Sequence, residues 1–514
     1  MLLHELLERS AQTGPERVAL IDAERGVQIT YRALNALSSN IRGALTDVGV
    51  CRGDRVGLYG PKSIATVAAL FGTLKAGGAY VPVDADAPPA RNAFIFSDCA
   101  VRVIIVEKSR LDAFIGEGED HGLQLDVAGP LEGLEPVGIE LMLIKNAGSQ
   151  QAVTPVVDRL AYILYTSGST GTPKGVVHTH DSALSFVDWC SETFDPVDDD
   201  CFSSHAPFHF DLSILDLYVS LKHRASLVLI GESLGKQPKM LAAAIAEHEI
   251  TMWYSTPSIL RLLVEYGEME QNDYSALRIV NFAGEVFPVK HLQALKKLWP
   301  HPRYFNLYGP TETNVCTFYQ VPEMIPPERV EQLPIGRVCS NDRAKIVDAH
   351  EQIVDAGEEG ELYVAGGSVM SGYWNMPDRT ASVFVLDGDG VPWYRTGDVV
   401  QEDGEGNYQF LGRRDRMVKR RGYRVELGEI EAALYRHPEV REAAVVAVPD
   451  EESGVLITAY LCWAGDGRPS TIKMKQFSAG NLPLYMIPDR FTFMPHLPKT
   501  STDKIDYQRL MKVE

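Results

Sequence analysis

The residues of this chain best suited to gripping a phosphate lie in one stretch, Tyr162-Ile-Leu-Tyr-Thr-Ser-Gly-Ser-Thr-Gly-Thr-Pro-Lys-Gly175. An apolar run (Tyr162 to Tyr165) opens into Thr166, Ser167, Gly168, Ser169, Thr170, Gly171 and Thr172, and Pro173 and Lys174 close the loop. Glycines let a backbone turn sharply and approach an anion, hydroxyls donate hydrogen bonds, and a lysine adds a point charge. The loop can therefore hold a polyphosphate, although the same composition also makes an ordinary Ser/Gly surface turn. Pro173 stands where a Walker loop needs its second glycine, which disfavours a P-loop kinase or ATPase.

Other constellations lie downstream. Asn306-Leu-Tyr-Gly-Pro-Thr-Glu-Thr313 joins an aromatic, a rigid turn, a hydroxyl and a carboxylate. Tyr308 could stack on a base, Thr311 bond a phosphate and Glu312 hold Mg²⁺, a hard cation that takes oxygen ligands; a plain turn before a strand is the alternative. Tyr394-Arg-Thr-Gly-Asp398 offers a carboxylate after a glycine turn, suited to ribose hydroxyls or simply to a hairpin. Gly412-Arg-Arg-Asp-Arg-Met-Val-Lys-Arg-Arg-Gly-Tyr-Arg-Val-Glu426 reads by composition as a solvated basic segment. Leu497-Pro-Lys-Thr-Ser-Thr-Asp-Lys-Ile-Asp-Tyr507 places Lys504 in a polar tail.

The elements that must position these groups alternate in the first half. Arg55–Tyr59 reads as a strand, Ser63–Ala76 as a helix ended by Gly77-Gly78, and Ala79–Val83 and Val101–Val106 as further strands. This is the rhythm of a parallel sheet covered by helices. It resumes with a strand at Ala225–Ile230, a helix at Pro238–Glu249 and a strand at Thr251–Tyr254, and gives way to strands and Gly-rich turns over Arg343–Tyr373. After Gly412 come a helix (Leu427–His437), strands at Ala443–Val448 and Leu456–Trp463, a final helix and a tail. The expected fold is α/β: a large N-terminal domain of layered sheets and helices with a β-rich subdomain (1–411), and a small mobile α+β C-terminal domain (412–514).

Composition narrows the functional classes. A chain of 514 residues exceeds one ordinary core, so two or more domains are expected. Its formal charge of −20 argues against nucleic acid or an anionic membrane as partner. The seven cysteines are scattered without a CxxC pair, which points to a reducing cytoplasm rather than a disulfide framework or zinc site. No secretory signal and no apolar run long enough to span a membrane is expected.

Taken in their order, the glycine-hydroxyl-lysine loop, Tyr308-Gly-Pro-Thr-Glu312, Tyr394-Arg-Thr-Gly-Asp398, Gly412-Arg-Arg-Asp415, the late Pro-Lys…Lys504-Ile-Asp and Gly360-Glu-Leu-Tyr-Val-Ala-Gly-Gly…Gly372-Tyr-Trp resemble the adenylate-forming enzymes. That superfamily includes acyl-CoA synthetases, luciferases and the adenylation domains of nonribosomal peptide synthetases; the resemblance runs from about Leu2 to Asp506. It implies ATP and Mg²⁺, with Thr166, Ser167, Gly168 and Lys174 lining the phosphate loop and Tyr308 against adenine. It puts Thr311 near the α-phosphate, Glu312 on Mg²⁺, Asp398 and Arg413 on the ribose, Asp415 at a hinge and Lys504 as the lysine that enters for adenylation. A carboxylate would attack the α-phosphorus of ATP, and a pantetheine thiol would then attack the acyl-adenylate, with a swing about Asp415 separating the steps.

Phe208-His-Phe-Asp-Leu-Ser-Ile-Leu-Asp-Leu-Tyr218 resembles the amino-acid-activating branch, in which an aspartate at the position of Asp211 pairs with the substrate's α-ammonium. By motif spacing, the side-chain pocket would be lined by Leu212, Leu215, Tyr254, Asn281, Ala283, Leu307, Val315 and Cys316. This set is similar to that of stand-alone L-prolyl ligases, except that Asn281 replaces an expected apolar residue. It implies L-proline or a similar small amino acid as substrate and a phosphopantetheinylated carrier protein acting in trans, since no carrier segment is expected after Lys504. The alternatives are an acyl- or aryl-CoA synthetase, a ligase for another small apolar amino acid, a sensor that has lost catalysis, and a scaffold that only docks carrier proteins.

Overall fold

A computed structural model describes residues 1–148, 158–168, 172–450, 454–465, 467–499 and 505–512. Two large sheets dominate its first four hundred residues. The nine-stranded one runs in the order Arg337–Val338, Thr317–Val321, Arg303–Tyr308, Ile279–Ala283, Met252–Ser255, Cys201–Ser204, Ser226–Leu229, Val18–Asp22 and Val27–Thr30. Its six inner strands, from Arg303–Tyr308 to Val18–Asp22, are mutually parallel, while the outer ones pair antiparallel. The eight-stranded sheet contains the parallel neighbours Leu160–Thr166, Ala79–Pro82, Arg55–Tyr59 and Val103–Glu107.

Both sheets are covered on two faces, so their central strands are apolar throughout, as Val56, Leu58, Leu227 and Leu229 illustrate. Helices Tyr31–Asp47, Ile64–Lys75 and His180–Phe194 pack between the sheets in one shared core. Local sequence sets their ends. Ser63 caps helix Ile64–Lys75 by accepting from the Thr66 N–H, and Gly77 at φ +81° turns the chain out of it.

The expected alternation of strand and helix is present, with ends shifted by one to three residues. Its βαβ unit Arg55–Tyr59, Ile64–Lys75, Ala79–Pro82 closes with parallel pairing. The β-rich part is a five-stranded antiparallel sheet that reaches further than expected, from Asp342–Val347 to Tyr408–Arg413. A short hairpin (Met417–Arg420 with Tyr423–Glu426) follows, then helix Leu427–Leu434 and a three-stranded sheet of Val440–Asp450, Gly454–Trp463 and Arg490–Phe493. That last sheet has two packed faces. Helix Leu427–Leu434 covers one, and the tail residues Leu497, Ile505, Tyr507 and Leu510 cover the other. Among the described residues no helix is long and apolar enough to cross a membrane.

Candidate active site

The carboxyl ends of the parallel strands converge on one crevice. Asp211 follows strand Cys201–Ser204, Thr256 follows Met252–Ser255, Gly284 and Glu285 follow Ile279–Ala283, and Gly309 to Glu312 follow Arg303–Tyr308. Ligands of open α/β sheets gather at such ends, where backbone groups are not consumed by the ladder.

On one side of the crevice Tyr308 donates its hydroxyl to Asp398, and Arg413 pairs with the other oxygen of the same carboxylate. Tyr308, Ile335, Phe410 and Arg413 border a cavity of about 820 Å³. The expected base-and-ribose group is thus brought together. Lys419 also lies over the Tyr308 ring, 5.1 Å from its centroid. Arg413 grips Asp415 as well, at 2.7 and 2.8 Å, so the predicted hinge residue is tied to the predicted ribose site.

Glu312 is fully buried on the other side. It accepts from Lys174 Nζ at 3.1 Å, from the Tyr373 hydroxyl at 2.7 Å and from Arg424 Nη1 at 3.0 and 3.1 Å. Burial alone would push its carboxyl up, but Arg424 and Lys174 outweigh it and hold the group well below the usual carboxylate range. Burial, with Arg424 beside it, brings Lys174 down to about 8. The Thr311 carbonyl accepts from His178 at 2.8 Å, a contact that fixes the turn before Glu312.

The glycine-hydroxyl loop carries its own occupant. Ser167 donates to the Arg424 carbonyl at 2.7 Å and accepts from the Glu426 N–H at 3.2 Å. The Gly168 N–H donates to Glu429 Oε2 at 3.2 Å, and the other oxygen of Glu429 pairs with Arg91. A carboxylate therefore stands where the loop is expected to meet phosphate. The Thr166 hydroxyl is buried with no partner among the described residues, and Ser169 to Gly171 lie outside them.

The partners of Ser167 and the Arg424 contact to Glu312 come from the hairpin, whose sequence reads by composition as a solvated basic segment, and the partner of Gly168 comes from the helix after it. The structure corrects that reading: Lys419 and Arg424 of the basic segment lie in the crevice, where Glu312 outweighs the burial of Arg424, whereas burial outweighs Asp398 and Asp211 at Lys419 and lowers its ammonium. The hairpin turn docks tightly. Gly422 (φ +79°) donates to Glu285 at 2.8 Å, and a Cβ on Gly422 would lie 2.2 Å from Thr256. Tyr423 stacks on Tyr485 at 3.9 Å and on Phe210, next to Asp211, at 5.4 Å. Arg424, Glu285, Glu429 and Arg91 escaped sequence reasoning, since only the folded docking gives them partners.

Asp211, Leu212, Tyr254, Ala283, Thr311 and Val315 line a smaller pocket beside this hairpin. Leu212, Leu215, Tyr254, Ala283, Leu307 and Val315 belong to one apolar cluster, whereas Cys316 packs with Tyr308 and Ile335 on the neighbouring side. Burial pushes the Asp211 carboxyl up to about 6, with Thr311 and Lys419 pulling the other way. Leu215 begins a π-helical turn, Leu215–Val219, that sequence periodicity did not reveal. Asn281 is buried at 1% exposure on the adjacent strand. Lys504 lies outside the described residues, and Ile505 after it packs on the face of the last sheet opposite helix Leu427–Leu434.

A family profile described as AMP-binding enzyme matches residues 7–374, and one described as AMP-binding enzyme C-terminal domain matches 429–504. The chain is 38% identical over 509 residues, 98% of it and 98% of the relative, to the L-proline--[L-prolyl-carrier protein] ligase of Pseudomonas fluorescens. To the ligase of the same description from Streptomyces coelicolor it is 37% identical, over 94% of this chain and 91% of that one. The solved amide bond synthetase McbA of Marinactinospora thermotolerans shares its fold, with TM-score 0.81 at 24% identity over 99% of each chain.

Proposed function

Because the chain belongs to the AMP-binding enzymes, we propose that it activates a small amino acid, L-proline foremost, and loads it on a separate carrier protein. In the first step a carboxylate oxygen of the amino acid bonds to the α-phosphorus of ATP and pyrophosphate leaves. In the second, the phosphopantetheine thiol attacks the acyl carbon, loses its proton, and AMP leaves. The observation that carries this reading is Asp211, a carboxylate in the same pocket as the apolar side chains of Leu212, Tyr254, Ala283 and Val315. Lys419 only partly offsets the burial of this carboxylate, and an α-ammonium supplies a further cation. The likeness to two L-proline ligases over nearly their whole length supports the same substrate and carrier.

In this reading residues 1–411 bind ATP and the amino acid, and 412–514 turn about Asp415. Tyr308 stacks on adenine, Asp398 and Arg413 hold the ribose, and Thr166, Ser167, Gly168 and Lys174 hold phosphates. Lys504 enters the crevice for the first step, when the hairpin withdraws. Mg²⁺ fits Glu312: a single buried carboxylate bonded to Lys174 of the glycine-hydroxyl loop suits an ion that keeps substrate phosphates and waters as its other ligands. When bound, Mg²⁺ neutralises phosphate charge. The docked hairpin, with Gly422 at the end of the amino-acid pocket, belongs to the second step.

Amino-acid-dependent exchange of pyrophosphate into ATP, run across the amino acids, tests this. L-proline is expected to give the signal, and Asp211→Ala to remove it. Undiminished exchange by Asp211→Ala, or activity only with fatty or aryl acids and coenzyme A, would replace it with the acyl-CoA reading.

A further inference from the structure

A buried amide on the pocket side of strand Ile279–Ala283 has no hydrogen-bond partner among the described residues. Along strand Ile279–Ala283, Val280 and Phe282 pack on one side of the sheet, while Ile279 and Ala283 join the cluster of Leu212 and Tyr254 on the other. Alternation puts Asn281 on the pocket side, one step below Ala283. Its strand neighbours in register are Tyr254 and Phe305. Asn281 is 1% exposed, and among the described residues neither its amide nitrogen nor its amide oxygen has a hydrogen-bond partner.

A buried amide left unpaired on both sides weakens a fold, and buried side-chain polar groups are nearly always bonded. A leucine there would fill the space without that cost, as Leu212, Leu215 and Leu307 do in the same cluster. Asn314 lines the pocket and its amide is also unpartnered among the described residues, but its side chain lies by the Tyr162 hydroxyl. Asn281 instead shares the strand face of Ala283, which lines the pocket.

Resting on the amino-acid reading above, we infer that Asn281 recognises a hydroxyl on the ring of a proline-like substrate, and that the preferred amino acid is a hydroxylated cyclic secondary amino acid rather than bare proline. One hydroxyl suffices for both orphans. Its proton goes to the amide oxygen and its lone pair accepts from the amide N–H, whichever way the amide is turned. A site built to bond a hydroxyl discriminates against the analogue lacking it, because its own polar groups are then stranded.

The test measures kcat/KM for pyrophosphate exchange with L-proline and with the 3- and 4-hydroxy-L-prolines of both ring configurations, on the wild-type chain and on Asn281→Leu. For the wild type, one hydroxylated isomer should exceed L-proline by about tenfold or more. Asn281→Leu should reverse that order in favour of L-proline. A wild-type chain that prefers L-proline to every hydroxylated isomer overturns the inference and leaves amino-acid activation standing. Absence of exchange with any amino acid overturns the activation reading itself. The wild-type series decides even if the variant does not fold.

Discussion

Two aspartates five residues apart show how environment divides the work of one side-chain type. Asp211 faces the pocket and is raised to about 6 by burial, with Thr311 and Lys419 moderating. Only its ionised form can hold an α-ammonium. The kcat/KM for the amino acid is therefore expected to climb about tenfold per pH unit below 6 and to level off above it, a profile that Asp211→Asn should flatten. Asp216, in the π-helical turn, has both oxygens buried with no hydrogen-bond partner among the described residues, and burial raises it well above the ordinary carboxylate range. Its folded-state value lies above the unfolded one, so unfolding releases its proton as pH rises past about 4, and the fold loses stability from there upward. Asp216→Asn keeps the neutral shape, and should raise stability at pH 7 by about 1–3 kcal/mol, with the gain vanishing near pH 4. Denaturant melts at the two pH values would show it.

At the scale of elements, the hairpin Met417–Glu426 fills the crevice and, in our proposal, decides which step it serves. Gly422 has a left-handed φ of +79° and no room for a Cβ, which would come within 2.2 Å of Thr256. Gly422→Ala is expected to slow thioester formation by about a hundredfold, roughly 2.7 kcal/mol, and to slow pyrophosphate exchange far less. Rapid-quench assays of the separate half-reactions would read the split. This hairpin also marks the limit of what the sequence makes legible. Buried strands and capped helices such as Ile64–Lys75 announce themselves through local pattern, and so does the motif order that locates Tyr308, Glu312 and Asp398. Lys419 and Arg424 resemble solvated cations because their carboxylate partners lie about a hundred residues or more away, or across another element. Local composition carries no trace of that pairing. Nor could spacing alone separate Cys316 from the residues that share a cluster with Leu212, since a strand turns alternate side chains to opposite faces.

At the scale of the whole molecule, the last sheet presents helix Leu427–Leu434 on one face and the tail around Ile505 on the other. In our proposal a single turn about Asp415 exchanges these faces at the crevice. Arg424 holds the arrangement described here by bonding both oxygens of Glu312. Breaking a buried pair of this kind costs about 3–5 kcal/mol, so Arg424→Ala should loosen the docked state and quicken proteolysis near Arg414–Arg416. In the wild type the same cleavage is expected with a non-hydrolysable ATP analogue plus Mg²⁺, and not with Mg²⁺ alone. Equal cleavage with the metal alone would contradict the role given to Arg424.

The Arg424–Glu312 pair has a meaning beyond holding two parts together. A guanidinium already neutralises the carboxylate, so the empty crevice is electrically content and makes no demand on free metal. In our proposal bare Mg²⁺ would have to shed water and evict a two-point partner, which it does poorly; nucleotide alone would bring phosphates against the Glu429 carboxylate seated at Gly168. Each would find its proposed place taken by a surrogate of like charge. On those roles the crevice would behave as a coincidence detector, silent to either signal and opened by the two together.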